Sequence, residues 1–351
     1  DKTNYLAMLS QLQKVSSMLP GEQENFMART LHPTHYGRFC PTETPEGTEI
    51  GLRKNLSILS RISTIAKYQE ESVMKELEEF GLNKESGKDV FFNGKFIGFV
   101  EDQYDFILKV KKARRAGRFP QELSIRYDYS VDQITMLTEV GRVLRPLIVV
   151  EEGASKLKDE HFLLLENNKI KWTDLVKEGI IEYLDSAEEE NALVAIKKEE
   201  LTNEHTHLEI HPIDIFGLVT ALVPFANHDP GSRLIKGGKT LKQSLGIYAT
   251  NYLVRLDTDV SILHYPQKPI VRSFIYDTLD IYPAGQNIVV AIMPFDGYNM
   301  EDAVVLNQAS VDRGMGRSTY FRPYSATELQ YTGGLSDEIT IPEKDVSGYR
   351  T

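Results

Sequence analysis

The chain has 351 residues, of which 41% are apolar and 26% are charged. A chain of this length is too long to fold around one small core, so two or three modules are expected. The apolar content excludes general disorder. The 51 acidic and 40 basic residues give a formal net charge of −11. That balance disfavours a general nucleic-acid clamp or a membrane-surface protein.

Cysteine usage and hydropathy narrow the class of protein further. The single cysteine, Cys40, excludes an intramolecular disulfide and a cysteine-cluster zinc site built from this chain alone. It favours a protein of the reducing interior of the cell. No segment approaches the roughly 18 apolar residues of a membrane span, and the first residues resemble neither a signal nor a transit peptide. We therefore expect a soluble intracellular protein. Because the chain starts at Asp1 and stops at a polar sequence, we also expect it to be part of something longer.

A rigid loop is predicted over residues 31–47, where three prolines and two glycines fall within 17 residues. Loops held on a scaffold often carry binding groups. His32 and His35 are possible metal ligands, but no third ligand lies near them in the sequence.

The next part of the chain reads as alternating strands and helices. The predicted elements are a strand over 56–66, a charged helix over 67–81, a hairpin at Asn93-Gly94, a helix over 102–117 and a buried strand over 140–152. The second helix ends in the most basic patch of the chain, formed by Lys111, Lys112, Arg114, Arg115 and Arg118. A solvated helix end favoured by the dipole is one interpretation, and phosphate contact is the other.

Most of the acidity is local. Residues 151–204 carry 15 acidic and 7 basic side chains and so contribute −8 of the net charge. Their amphipathic pattern and the run Ser186–Glu190 predict short elements with a solvated outer face. A protein-docking face on the outside of an assembly is the functional alternative.

Long apolar runs follow residue 205. The segments 208–228, 285–299 and 302–311 lack clean alternation, which predicts burial on both sides and the best-packed part of the chain. His205, His207 and His211 have the residue type of zinc ligands. Only three ligands are present and a proline follows the last, so core or surface histidines are favoured.

A glycine-rich loop is predicted over residues 227–243, followed by a helix over 239–253. Its four cations lie at three-residue steps and lead into a helix N-terminus, which is typical of an anion site; an ordinary basic loop is the equally open alternative. These cations are Arg233, Lys236, Lys239 and Lys242. A nucleoside-triphosphatase P-loop is rejected, because its spacing requires glycine at the position of Arg233.

Paired carboxylates follow a turn at residues 297–299. Glu301 and Asp302 would point to opposite faces of a regular strand, so they can serve one cation only if the turn bends the chain. Two carboxylates suffice to share Mg²⁺ with a substrate phosphate and another subunit, whereas a solvated strand end is the alternative.

Taken together and in order, several stretches are similar to one family. They include HPTHYGRFCPTETPEGTEIGL, GRVLRPLIVVEE, EYLDSAEEENALVAI, THLEIHP, KQSLGIYATNYLVRLDT and GYNMEDAVVLNQASVDRG. The chain resembles the second-largest subunit of multisubunit DNA-directed RNA polymerases, closest to the archaeal and eukaryotic nuclear type. The matching stretches run from about residue 26 to 323, so the resemblance covers nearly the whole chain.

The resemblance implies a mixed α/β, multi-module fold. Residues 1–60 would form the fork region, residues 61–204 the external domains, divided at about 150, and residues 205–351 the N-terminal part of the hybrid-binding domain. That last domain would begin a double-psi β-barrel completed by sequence beyond Thr351. The chain would then be a central fragment of the subunit.

The resemblance also implies roles for individual residues. Arg233 would contact the phosphates of the incoming nucleotide, Gln243 would lie near the RNA 3′ end, and Glu301 and Asp302 would lie near the second Mg²⁺. Lys236, Lys239 and Lys242 would add nucleotide or RNA contacts. In the fork loop, the residues singled out near the downstream duplex are His35, Arg38, Glu43 and Glu46. One departure from the nuclear pattern HNQSPR is the sequence HDPGSR that ends at Arg233.

Templated nucleotidyl transfer is the activity that the resemblance implies, with Mg²⁺ shared with the largest subunit and no zinc in this part. The implied partners are the largest subunit, the assembly subunits, template DNA, the RNA–DNA hybrid, nucleoside triphosphates and transcription factors. No membrane is implied, and the location would be cytoplasmic, or nuclear in a eukaryote. The alternative is a docking and scaffold segment without catalytic work, and the isolated chain is not expected to polymerise RNA.

Overall fold

A computed structural model describes residues 2–65 and 68–341. The helices α1 to α11 are Tyr5–Leu12, Phe26–Arg29, Glu70–Glu79, Gln103–Arg115, Asp159–Glu166, Trp172–Lys177, Ser186–Glu189, Leu218–Ala221, Gly231–Gln243, Phe274–Leu279 and Gln308–Asp312. The strands β1 to β14 are Lys14–Ser16, Arg53–Asn55, Arg61–Ile62, Lys88–Phe92, Lys95–Val100, Ser124–Asp128, Gln133–Leu137, Val143–Glu151, Ala154–Ser155, Ile181–Leu184, Val194–Ala195, His207–Leu208, Val260–Leu263 and Ser318–Phe321. Among these helices, none combines the length and apolar character needed to cross a bilayer.

Two compact units make up the chain. The larger unit comprises Leu9–Leu241 and Val271–Asp280, and the smaller comprises Asp1–Met8, Lys242–Ile270 and Ile281–Thr351. Several separate sheets and short helices occur in the described residues, so the expectation of a mixed α/β chain with several modules is confirmed.

A four-stranded sheet in the larger unit has the order β5-β4-β7-β6, with β4 and β7 parallel. Helices α3 and α4 share its core, where Leu77, Phe106 and Ile134 are fully buried. Asn93 and Gly94 both have left-handed backbone, with φ of 47° and 78°, as a two-residue hairpin between β4 and β5 requires. The predicted hairpin and both predicted helices are confirmed, except that Lys67, the first residue of the helix predicted over 67–81, lies outside the described residues. Asp102 caps α4 by accepting from the N–H of Tyr104 and Asp105.

The second sheet is built around β8, which pairs with β10, β12, β3 and β9. Residues 144–150 of β8 are all buried, so the predicted buried strand is confirmed. The predicted strand over 56–66 is largely wrong. Only Arg61 and Ile62 form a strand, because the N–H groups of Leu56 and Ser57 donate to loop carbonyls; Ala66 lies outside the described residues.

The glycine-rich segment is a helix, so the predicted loop over 227–243 and helix over 239–253 are wrong as placed. Helix α9 starts at Gly231, directly after a proline, and residues 244–253 form turns and irregular chain. Gly238 is buried, and a Cβ atom on it would lie 3.3 Å from Val219 of α8. The glycine therefore permits close approach of two helices.

The smaller unit contains an antiparallel pair, β13 and β14, beside a core of Tyr248, Val260 and Ile262. Its described residues form no closed barrel, so the double-psi barrel stays a prediction. The predicted burial of 285–299 and 302–311 is wrong: Val289 is 104% exposed, because these segments pack against little else in the described chain. The first apolar run does supply buried residues, among them Leu218 and Val219.

Candidate functional site

Helix α9 presents a basic face to solvent. Arg233, Lys236 and Lys239 are exposed, whereas Leu234 and Gly238 are buried on the other side of the helix. The first turn has backbone N–H groups without intrahelical acceptors, and Arg233 lies in that turn. A helix N-terminus with an arginine beside it is suited to bind phosphate.

The same helix also carries the other two predicted contacts. Lys242 is half-buried and Gln243 is exposed at its C-terminal end. All five predicted residues from Arg233 to Gln243 therefore lie on one element, although the sequence predicted a loop at Arg233 and Lys236 and a helix only from Lys239 onward. The signal that sequence reasoning missed is the spacing of Leu234, Gly238 and Leu241, which recur at the positions of a helix face.

The loop over residues 31–47 lies against α8 and α9. The Thr42 and Thr220 hydroxyl oxygens are 3.1 Å apart, and the Cys40 thiol donates to the Thr220 hydroxyl at 3.3 Å. At the end of the loop, Glu46 and Lys239 form an exposed ion pair with a distance of 3.2 Å. This predicted fork-loop residue is thus brought to the basic face of α9.

Glu43 and His35 of the same loop have local partners. The buried carboxylate of Glu43 accepts from the Ser10 hydroxyl at 2.7 Å. The Nδ1 atom of His35 accepts from the N–H of His32 and caps a short 3-10 turn. Burial, assisted by Lys54 and His32, lowers the pKa of His35 and so favours its neutral ring.

The remaining histidine set is dispersed among different partners. His207 is buried and its Nε2 atom lies 3.1 Å from Glu182, whereas His205 bonds to Thr202 and His211 accepts from the N–H of Ile213. Within residues 2–65 and 68–341, no three His, Cys, Asp or Glu side chains are grouped to hold a metal ion.

Arg38 points into the protein. Its guanidinium donates to the Glu189 carboxylate at 2.6 Å, to the Leu184 carbonyl at 2.9 Å and to the Val143 carbonyl at 3.2 Å. The side chain is buried. Arg38, one of the predicted fork-loop residues, therefore fastens the loop to the sheet around β8.

The basic patch at the end of α4 is paired with the acidic run. Arg114 is fully enclosed and donates to both oxygens of Glu188, at 2.7 and 2.8 Å, and to Glu182 at 3.1 Å. Arg115 also donates to Glu182, at 2.8 Å. Arg114 and Glu188 neutralise each other in the interior. For Arg114, both the predicted solvated helix end and the predicted phosphate contact are therefore wrong. For Glu188, the predicted solvated outer face is wrong.

A second group of pairs surrounds Arg145 on β8. Arg145 donates to Glu189 and, at 2.6 and 2.8 Å, to Glu209, while Asp185 pairs with Arg142 at 2.7 Å. We call the two groups together the buried charge cluster. Its members are Arg38, Arg114, Arg115, Arg142, Arg145, Glu182, Asp185, Glu188, Glu189, His207 and Glu209.

The basic partners favour the ionised form of Glu182 and Glu189, whereas burial raises the pKa of Glu209. Burial by itself raises the pKa of Glu182, but Arg114, His207 and Arg115 outweigh it and hold this pKa well below its usual range. Burial likewise opposes ionisation of Glu189, and Arg145 and Arg38 reverse the effect and lower its pKa. Removing one partner would leave a buried charge uncompensated.

Glu301 and Asp302 lie in the smaller unit, after a turn. The turn is held by Asn299, whose side chain accepts from the N–H of Phe295 and donates to the Met293 carbonyl. Both carboxylate residues are exposed and have left-handed backbone, with φ of 55° and 63°. The chain thus bends here, as a shared cation site would require. The two exposed carboxylates provide hard oxygen ligands, which suit Mg²⁺, but they would occupy fewer than its six coordination positions.

Comparison with protein families gives four matches along the chain. The families are RNA polymerase Rpb2, domain 3, over residues 1–62; domain 4, over 90–151; domain 5, over 172–212; and domain 6, over 219–350. The basic helix and the two carboxylates both lie in the part matched by domain 6.

Similar curated proteins cover the whole chain. DNA-directed RNA polymerase subunit Rpo2 of Sulfolobus acidocaldarius is 41% identical over 100% of this chain, and DNA-directed RNA polymerase II subunit RPB2 of Encephalitozoon cuniculi is 36% identical over 98%. DNA-directed RNA polymerase III subunit RPC2 of Schizosaccharomyces pombe is 33% identical over 98%. The chain spans 33%, 32% and 30% of the lengths of these relatives. From the four ordered family matches and these relatives, we conclude that the chain belongs to the second-largest subunits of multisubunit DNA-directed RNA polymerases.

Proposed function

We propose that this chain contributes nucleotide contacts to the active centre of a DNA-directed RNA polymerase. The observation that supports this proposal most strongly is the exposed basic face of α9, formed by Arg233, Lys236 and Lys239, in a chain of this family. The reaction would be template-directed transfer of a nucleotide to the RNA 3′ end. The partners would be the largest subunit, the assembly subunits, template DNA, the RNA–DNA hybrid and nucleoside triphosphates.

Arg233 would bind the triphosphate. A guanidinium at the first turn of a helix offers planar donors at the positive end of the helix dipole, and both favour phosphate oxygens. Lys236 and Lys239 follow along the exposed side and would add charge neutralisation. Lys242 would extend this contact, and Gln243 would lie beside the RNA 3′ end.

Glu301 and Asp302 would hold Mg²⁺ together with the largest subunit. Their exposure, their hard oxygens and the bend before them support this role. In phosphoryl transfer, Mg²⁺ supplies neutralisation of charge on the phosphate oxygens. Two consecutive left-handed residues without glycine are strained, and strain of this kind clusters at functional sites.

The modules would follow the map of the family. Residues 1–60 would form the fork region, 61–204 the external domains, and 205–351 the start of a double-psi barrel that cradles the hybrid. The exposed apolar side chains of Val289 and Ile292 support completion of this last domain by further protein. His35 and Glu46 would lie in the fork loop near the downstream duplex.

The test uses polymerase assembled with the subunit that carries this chain. Arg233→Ala should reduce RNA extension on a defined template, and the exposed cation change Lys75→Ala should leave it unchanged. Glu301→Gln and Asp302→Asn should raise the Mg²⁺ concentration needed for half-maximal extension. Normal extension by the Arg233 variant would remove the proposed phosphate contact, and an unchanged Mg²⁺ requirement would remove the proposed metal role.

A second candidate function is docking of transcription factors on α5. This helix exposes Phe162 and Leu163 beside the exposed acids Asp159, Glu160 and Glu166. Deleting residues 151–204 would break the buried charge cluster, so the sharper variant neutralises only these three acids. Factor binding should fall in that variant, whereas neutralising Glu199 and Glu200 should have no effect; equal binding by both variants would end the docking role.

A further inference from the structure

The loop over residues 31–47 is fastened at its start by the buried charge cluster. The ring of Tyr36 lies 4.9 Å from the Arg145 guanidinium carbon, and a Cβ atom on Gly37 would lie 2.6 Å from the Arg145 side chain. Arg38 follows and donates to Glu189 at 2.6 Å. Three consecutive loop residues thus contact two cluster members.

Glu189 is the group that joins these contacts. Its carboxylate accepts from both Arg38 and Arg145, so it holds the loop and β8 through one side chain. The two guanidiniums have like charge and repel each other unless an anion lies between them. Loss of the carboxylate would therefore release the start of the loop.

The far end of the loop contacts the helices of the candidate site. Cys40 and Thr42 bond to Thr220 of α8, and Glu46 pairs with Lys239 of α9. All these residues lie in the larger unit. A continuous set of contacts accordingly runs from Glu189 through the loop to the helix that carries Arg233.

Two neighbouring acids serve as internal controls. Glu188 is as deeply buried as any residue of the cluster, but it pairs with Arg114 and bonds to no loop residue within the described part of the chain. Glu190 is exposed and pairs with Arg126. Variants of these three consecutive glutamates therefore distinguish the loss of a loop contact, the loss of a buried charge and the loss of a surface charge.

We propose that Glu189 is a positioning residue for nucleotide addition, which acts by fixing the loop over residues 31–47 against the helix that carries Arg233. This inference rests on the proposed function of that helix. Glu189 itself contacts no substrate in this account, because its carboxylate is engaged with Arg38 and Arg145.

The experiment compares Glu189→Gln, Glu188→Gln and Glu190→Gln in assembled polymerase. The first readout is the rate at which N-ethylmaleimide labels Cys40, followed by mass spectrometry of the peptide that contains it. Cys40 is the single cysteine of this chain and is buried within the loop, so labelling reports opening of the loop. The second readout is kcat and KM for nucleotide incorporation, measured at a temperature well below the thermal unfolding transition.

Glu189→Gln should raise the labelling rate of Cys40 about tenfold, since a buried pair loses its anion. It should also lower kcat/KM for the nucleotide about tenfold through displacement of contacts near Arg233. Glu188→Gln should lower the thermal midpoint without changing either readout, and Glu190→Gln should change nothing. Arg38→Lys, which keeps the charge but cannot make all three Arg38 contacts, should repeat both effects if the Glu189 variant fails to assemble.

Two results would overturn the proposal. Unchanged labelling of Cys40 in both the Glu189 and Arg38 variants would show that the loop does not depend on this contact. Faster labelling with unchanged kcat/KM would show that loop position does not affect nucleotide addition. The proposed function is distinguished by Arg233→Ala, measured in parallel: if that variant is impaired, only the positioning role fails, and if it is unimpaired, the proposed function fails.

Discussion

Arg114 and Glu188 form a bidentate ion pair in the interior of the larger unit, with N–O distances of 2.7 and 2.8 Å. The two residues lie 74 positions apart and come from the most basic and the most acidic parts of the sequence. Their pairing joins α4 of one sheet module to the acidic run beside the other. Part of the charge of both regions is therefore cancelled within the fold, whereas Lys112, Arg118 and the acids of α5 stay exposed.

Glu188→Gln should destabilise the chain strongly. The substitution leaves the Arg114 guanidinium buried without its principal anion, and breaking a buried pair in this way costs about 3 kcal/mol. Urea denaturation followed by circular dichroism measures the loss. Glu190→Gln, which alters an exposed acid two residues later in the sequence, should change the free energy of unfolding by about 0.5 kcal/mol or less. Equal stability of the two variants would contradict the buried pairing.

Gly51→Ala should be more destabilising than Gly47→Ala. Both glycines have positive φ, at 75° and 91°, so alanine is strained at either position. At Gly51, however, a Cβ atom would lie 2.3 Å from the Arg29 carbonyl oxygen, whereas nothing lies within 4 Å at Gly47. The backbone clash adds an overpacking cost of about 1 to 3 kcal/mol. Thermal unfolding of the two variants tests this difference, and indistinguishable midpoints would count against the close approach of Gly51 to Arg29.

Asp214 should make stability fall as the pH rises towards neutral. Burial raises its pKa to about 7, despite the hydrogen bond that its carboxylate accepts from the His211 N–H. The folded chain thus holds this proton more tightly than the unfolded chain, so its contribution is complete below the unfolded pKa and is lost as pH rises through about 7.

Asp214→Asn keeps an oxygen for the His211 N–H and cannot ionise. The variant should therefore lose this pH dependence and should be more stable than the parent chain at pH 8. Denaturation midpoints between pH 5 and pH 8 provide the measurement. A parent chain and variant with parallel profiles over this range would contradict the raised pKa. Glu182 acts in the opposite direction and at lower pH, because its lowered pKa removes stability only under acid conditions.

Local patterns predicted part of this fold well. The Asn93-Gly94 hairpin, the helix ending before Gly81 and the buried β8 strand follow from nearest-neighbour signals that tertiary packing leaves intact. The part of α9 before Lys239 was missed because its glycines were interpreted as turn residues. Gly238 instead provides room for Val219, a contact that no local pattern reveals.

The charge cluster was missed for a related reason. Arg38 and Glu189 are 151 residues apart, and the sequence gives no sign that these two charges meet in the interior. The apolar runs near Val289 and Ile292 were predicted to be buried from composition, which cannot tell whether the covering surface belongs to the same segment. In contrast, Arg233, Glu301 and Asp302 were singled out from their sequence neighbours; all three are exposed, and their roles stay predictions.

The proposed binding of the incoming nucleotide's phosphates by Arg233 can be measured directly. Single-turnover incorporation should be measured against nucleotide concentration, in assembled polymerase, for the parent, Arg233→Lys and Arg233→Ala. We predict that kcat/KM falls about a hundredfold for alanine, as for loss of a charge-stabilising donor, and less for lysine, which keeps the charge but not the planar donors. Equal kcat/KM in all three enzymes would contradict the account.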